Sequence, residues 1–146
     1  MMDSSLEAKK EWTESAYDLV TGQLADIDWT DKDIVFIGKS VGTIIASKYA
    51  TDHDLKPIML LLTPIDETCD FLCEGRNFFF TGRLDPWFHA SDHEDVIMEK
   101  VEEYLAYGDT NHSLESGNVD EDIGILYECI KHIRSILTGE DWIDYL

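Results

Sequence analysis

At 146 residues, of which 44% are apolar, the chain can build one domain with a buried core but hardly two, and global disorder is excluded. Thirty-one acidic residues against 11 basic ones leave a formal charge of −20, which makes nucleic acid and membrane surfaces poor partners because both repel it. The odd set Cys69, Cys73 and Cys129 argues against a disulfide framework; with no signal-peptide pattern after Met1 and no apolar run longer than Ile58 to Leu62, a cytoplasmic protein is expected.

The first element is a helix from about Leu6 to Ala25. Ser4 stands three residues before Glu7, as in a capping box, and Ala16, Tyr17, Val20, Leu24 and Ile27 recur at helical spacing. Ile34 to Ile37 is a continuously apolar run ending at Gly38, the pattern of a strand covered on both faces. A helix from Val41 to Ala50 follows, then a second buried strand from Pro57 to Leu62, closed by Thr63-Pro64. Asn77 to Thr81 is the third strand, closed by Gly82, and Asp92 to Lys100 suggests a short helix. Val101 to Tyr107 is a weaker fourth strand, interrupted by Glu102 and Glu103. Val119, Ile123, Leu126, Tyr127, Ile130, Ile133 and Leu137 then give the strongest helical stripe, stopped at Gly139. Strands alternating with helices imply one α/β domain over residues 1–146, in three layers, with a parallel sheet of about four strands. In such sheets, sites lie beyond the carboxyl ends of the strands.

Gly38-Lys39-Ser40-Val41-Gly42 fits G-x-S-x-G, with a strand before it and a helix after it. A sharp strand-to-helix turn exposes the Ser40 hydroxyl, the glycines admit close backbone, and the helix N-terminus offers the Val41 N–H to a developing oxyanion. Asp85 follows the third strand in Gly82-Arg83-Leu84-Asp85-Pro86-Trp87, where an acid can orient a histidine. His112 follows the fourth strand in the polar loop Asn111-His112-Ser113-Leu114-Glu115. Taken singly, Asp85 reads as a solvated turn acid and His112 as a loop residue. Together, the order Ser, Asp, His, each after a strand, is that of one known triad arrangement.

On these stretches the chain resembles the α/β-hydrolase superfamily, specifically its small, nearly lidless members, over most of its length. The resemblance implies a serine hydrolase acting on a small acyl substrate, an ester or thioester. Ser40 would be the nucleophile, His112 the base, Asp85 its orienting acid, and Val41 an oxyanion donor. No cofactor and no metal are implied. Family members also carry strands ahead of the first helix read here, and a His-Gly-type oxyanion loop, whereas this chain opens at that helix. Three readings follow: an N-terminally shortened form, a substitute backbone N–H, or a catalytically silent binding or assembly domain. The sheet edge beside the nucleophile strand would then be bare, and a homo-oligomer formed through it is expected.

Trp87 and Phe88 stand where they can wall a substrate pocket or pack over the sheet end. His89 and His93, four apart, have the spacing of a zinc or nickel pair, but a solvated acidic helix is preferred. Cys69 and Cys73 fall in a segment, Asp66 to Glu74, where the resemblance implies a short cap helix, and His53 and His132 read as surface helix residues.

Overall fold

The structure, a computed structural model, describes residues 4–140. Its elements in chain order are α1 (Ser4–Leu24), β1 (Val35–Lys39), α2 (Val41–Asp52), β2 (Ile58–Leu62), a 3-10 turn (Asp66–Asp70) and β3 (Arg76–Thr81). A second 3-10 turn (Ala90–Asp92), α3 (Glu94–Lys100), β4 (Val101–Ala106) and α4 (Val119–Thr138) complete it. The four strands form one parallel sheet in the order β1-β2-β3-β4, as the alternating pattern predicts.

The central strands explain their own sequences. Met59, Leu61 and Phe79 face the side covered by α2, the first 3-10 turn and α3, while Leu60, Phe78 and Phe80 face α4. All six are buried, so through these positions each strand is apolar on both faces rather than at alternate residues. Full burial of side chains this size stabilises the fold by roughly 1.5–3 kcal/mol each. β4 reads weakly because it is an edge. Its register against β3 shifts between Asn77 and Phe78, Glu102 drops out of the pairing, and Arg76 grips that carboxylate with two bonds of 2.8 and 2.7 Å. The buried Asn77 amide donates to the carbonyls of Cys73 (3.0 Å) and Lys100 (2.9 Å), which fixes the junction of α3 with β4.

α1 ends at Leu24, so Ile27 lies past it, and the helix includes Ser4 itself. Its half-buried side carries Lys9, Thr13, Ala16, Tyr17, Val20, Thr21 and Leu24, a mixed stripe that lies on α2 without a fully buried residue. Tyr17 donates to Asp52 at 2.5 Å, and Lys48 pairs with the same carboxylate at 2.6 Å. Trp29, Phe36 and Tyr49 meet edge to face and pin the connection into β1.

α4 is capped at Asn118, whose side chain accepts from the N–H groups of Asp120 and Glu121, and stops at Gly139, where φ is 68°. Ile125, Cys129, Ile133 and Ile136 pack on β2, β3 and β4. On the β4 side, Glu121, Glu128 and His132 border a depression with Leu105 and Tyr107. The other side, toward β1, is apolar and open: Val119, Ile123, Leu126 and Ile130 are all exposed. The face of β1 that continues this side is open too, with Ile37 67% exposed. His132 is half-buried, its Nδ1 2.6 Å from the Tyr107 hydroxyl, so it is not the surface residue expected, whereas His53 is exposed and stacks on Tyr49. No helix among the described residues is long and apolar enough to cross a membrane.

Candidate active site

Three loops leave the carboxyl ends of β1, β3 and β4, and each delivers one side chain to the same point. The first is the turn from β1 to α2. Ser40 adopts φ 54° and ψ −126°, a region that an L side chain rarely enters and that costs of order 1–3 kcal/mol. The turn is held open at this angle by its own bonds. The Ser40 N–H donates to the Leu62 carbonyl at 3.0 Å, and the Ser40 carbonyl accepts from both the Thr43 N–H (3.0 Å) and the Thr43 hydroxyl (2.5 Å). Gly38 has a steric reason, since a Cβ there would stand 2.7 Å from the Gly42 carbonyl oxygen. Gly42 has no such reason: a Cβ on it meets nothing within 4 Å. Val41 is the first residue of α2, beside the helix's unpaired N–H groups.

The second and third loops interlock. The N–H groups of Arg83 and Leu84 donate to the carbonyls of Gly108 (3.3 Å) and Thr110 (3.0 Å). Gly82 lies so close to the other loop that a Cβ would sit 2.3 Å from the Thr110 carbonyl oxygen. The Asp85 carboxylate is fully buried; it accepts the Trp87 N–H at 2.8 Å and faces His112 Nδ1 at 2.7 Å. The Asn111 side chain accepts from the N–H groups of Ser113 and Glu115, winding the loop so that the His112 ring points inward. His112 Nε2 stands 2.7 Å from Ser40 Oγ. With Nδ1–H donating to Asp85, Nε2 is left free to accept the serine hydroxyl.

Ser40, Asp85 and His112, far apart in sequence, therefore form one hydrogen-bonded array. Trp87 is exposed beside it, its ring 6.3 Å from that of His112. Phe88 turns the other way: it is 7% exposed, set edge to face on Phe79, and belongs to the core. Of the two aromatics read as pocket walls, only Trp87 faces the array.

Asp66, in the segment after β2, carries no motif that singles it out in the sequence. Its N–H donates to the Trp87 carbonyl at 3.0 Å. One carboxylate oxygen accepts the His89 N–H at 2.7 Å and lies 3.2 Å from His93 Nε2, and the other lies 2.7 Å from His89 Nδ1. The position that could have flagged it is the carboxyl end of a central strand. Burial pushes the Asp66 carboxyl up, but the bonds from His89 outweigh it and hold the group below the ordinary carboxylate range. The His89 ring is raised in return, by its bond to Asp66 and by that carboxylate's charge. The two histidines thus share a carboxylate, and among the described residues no group of three or more His, Cys, Asp or Glu is placed to hold a metal ion. Cys69 and Cys73 are buried free thiols, and burial, aided by Asp66 and Asp70, pushes Cys69 up to about 12. The segment around Cys69 is a 3-10 turn rather than a cap helix over the array.

No family model and no curated protein matches the chain. Solved structures do. A protein of unknown function from Agrobacterium tumefaciens, described as a candidate α/β hydrolase, superposes with a TM-score of 0.55 at 21% identity, over 88% of this chain and 60% of its own. A homologue of α/β serine hydrolases from Coxiella burnetii gives 0.54 at 15% identity, over 91% and 62%. A YdeN-like candidate hydrolase from Pectobacterium atrosepticum gives 0.52 at 13% identity, over 81% and 70%. The chain thus spans about three fifths of the length of the first two. Over most of its length, then, its fold is that of the α/β hydrolases.

Proposed function

We propose that the protein is a serine hydrolase that cleaves a small carboxylic ester or thioester through an acyl-enzyme. The observation that carries this reading is the 2.7 Å contact of Ser40 Oγ with His112 Nε2, on a ring whose other nitrogen faces a buried carboxylate at 2.7 Å. In the first half-reaction His112 takes the Ser40 proton as Oγ bonds to the acyl carbon. The Val41 N–H donates to the oxyanion, and the leaving group departs with the proton from Nε2. Asp85 holds the ring tautomer and stabilises the imidazolium. Water, deprotonated by His112, then releases the acid and restores the serine. A fluorophosphonate probe should add its mass to the peptide carrying Ser40, and Ser40→Ala should remove both the label and ester turnover. Turnover that survives Ser40→Ala sinks the reading.

A second reading, a catalytically silent binding or assembly domain, has one observation in its favour. Among the described residues β1 is an edge strand, so no loop from beyond it offers a second oxyanion donor to Ser40. Loss of one such donor costs roughly 10²–10³ in rate. Absence of labelling and of turnover in the folded protein would select this reading.

A further inference from the structure

The peptide that joins Ser40 to Val41 has two polar ends. Its N–H is the oxyanion donor of the reaction proposed above, and its C=O points the opposite way because the unit is planar and trans. Whatever fixes the carbonyl therefore aims the donor. Thr43 fixes it twice, through its N–H at 3.0 Å and its hydroxyl at 2.5 Å.

A hydroxyl in a helix that bonds back to an earlier carbonyl is ordinary by itself. Here that hydroxyl is held in turn by another. Thr43 Oγ1 lies 2.7 Å from Thr68 Oγ1, which belongs to the first 3-10 turn, 25 residues along the chain. Thr68 Oγ1 also accepts the Ile65 N–H at 3.2 Å. Each hydroxyl has one proton. The Ser40 carbonyl can only accept, so the Thr43 proton goes to it, and the bond between the two threonines uses the proton of Thr68. The chain thus has one direction: Ile65 N–H to Thr68, Thr68 to Thr43, Thr43 to the Ser40 carbonyl. Both threonines are 0% exposed, so bulk water does not compete for these protons. In such a setting each bond polarises the next, and the last draws electrons toward the Ser40 oxygen and leaves the Val41 N–H more positive. The far end of the chain is anchored. The Thr68 N–H donates to the Ile65 carbonyl at 2.9 Å, and the Asp66 N–H, in the same turn, to the Trp87 carbonyl at 3.0 Å.

We propose that Thr43 and Thr68 are positioning residues for the oxyanion donor: their hydroxyls run in series to the Ser40 carbonyl and hold the Val41 N–H at the angle that the developing oxyanion needs. The proposal rests on the hydrolase reading above. The aim of this one N–H matters more here than in a site with two donors. Among the described residues β1 is an edge strand, and no loop from beyond it shares the oxyanion if the Ser40–Val41 peptide tilts.

The test is turnover of p-nitrophenyl acetate by the full chain. Both half-reactions pass through an oxyanion, so loss of aim should lower kcat and leave KM in place. Thr43→Val removes the hydroxyl and keeps the branched shape. It should lower kcat at least about tenfold, short of the roughly 10²–10³ of a donor lost outright. Thr43→Ser, which keeps the hydroxyl, should recover most of that loss. Thr68→Val should cost less than Thr43→Val, because Thr43 still donates. In the Thr43→Val background it should cost nothing further, because the chain is already cut there. Thermal unfolding shows which variants fold. If Thr43→Val does not, Thr68→Val decides the matter, with Thr68→Ser as its rescue: a lower kcat at fixed KM, restored by serine, supports the relay, and an unchanged kcat overturns it. Four results overturn the relay and leave the hydrolase standing, in an enzyme that Ser40→Ala silences. They are full kcat in Thr43→Val, a change confined to KM, a loss that Thr43→Ser shares, and losses that multiply in the double variant. Turnover that survives Ser40→Ala overturns the hydrolase reading itself.

Discussion

Asp66 and His89 are joined twice, once through the His89 backbone N–H and once through its ring, each at 2.7 Å from a different carboxylate oxygen. The same acid meets His93 and, through its own N–H, the carbonyl of Trp87. Asp66 is therefore the point at which the segment from Trp87 to His93 is fastened to the end of β2. Asp85, two residues before Trp87, is held at one end of that segment by the Trp87 N–H.

The pH dependence of this clasp follows from the direction of both shifts. Asp66 is lowered, so its contribution to stability is present above the ordinary carboxylate range and is lost as pH falls through its depressed value. His89 is raised, so its contribution is full below the ordinary histidine value and is lost as pH rises through the elevated one. Both are present together in mildly acidic solution. The stability difference between the native protein and Asp66→Asn should be largest near about pH 6 and smaller near about pH 3 and about pH 9. Urea unfolding at the three values measures it, and a difference independent of pH would show that the pairing carries no charge component.

Ser40, His112 and Asp85 are linked in series, so they should fail together. Ser40→Ala alone is expected to cost at least about 10³ in kcat/KM for an activated ester. Adding His112→Ala to it should cost little more, because the base has no proton left to take. Losses that multiply in the double variant would show that the two side chains act separately.

The backbone of Ser40 gives a stability prediction separate from the chemistry. At φ 54° the Cβ is what makes the turn unfavourable. Ser40→Gly and Ser40→Ala both delete the hydroxyl and its bond to His112, but only the glycine removes the strain. Ser40→Gly should therefore be more stable than Ser40→Ala by about 1–2 kcal/mol, read as a higher Tm in thermal unfolding. Equal Tm values would place the strain elsewhere in the turn.

The open flank of β1 bears on association. Its outer edge has no strand partner among the described residues, and Ile37 is exposed on the face that α4 leaves uncovered. A second copy of the chain is the expected cover. The charge of −20 on each copy opposes this at low salt and is screened at high salt. Light scattering should thus show a dimer or larger species that grows with ionic strength and that Ile37→Lys disperses. A monomer at every salt concentration would remove the expectation.

The buried parts of the fold were legible in the sequence, and the reason is physical. β2 is an unbroken apolar run, and β3 carries three successive phenylalanines, because both faces of the two strands are covered. Ser40, Asp85 and His112 stand out in the sequence only as a set, in that order after three of the four strands. Nothing in Pro86-Trp87-Phe88 says which aromatic turns inward; the contact of Phe88 with Phe79 is between residues far enough apart that no local pattern announces it. Asp66 was missed because its partners lie 23 and 27 residues away, and a solvated acid looks the same in a chain so rich in acids. The stripe of α4 is legible as helical. Its amphipathic pattern did not disclose that the flank toward β1 would stay open, because periodicity reports an apolar side and not what covers it.

Gly82 sets a limit on how the face that bears the Ser40 array can move. With only a hydrogen where other residues carry a side chain, the exit of β3 is seated against Thr110 and Asn111, and the backbone bonds from Arg83 and Leu84 hold it there. The loop that carries the acid and the loop that carries the imidazole are thereby one mechanical part, with no hinge between them. Their spacing is set when the sheet forms, before any substrate arrives, and no closure of one loop on the other is needed to assemble the pair.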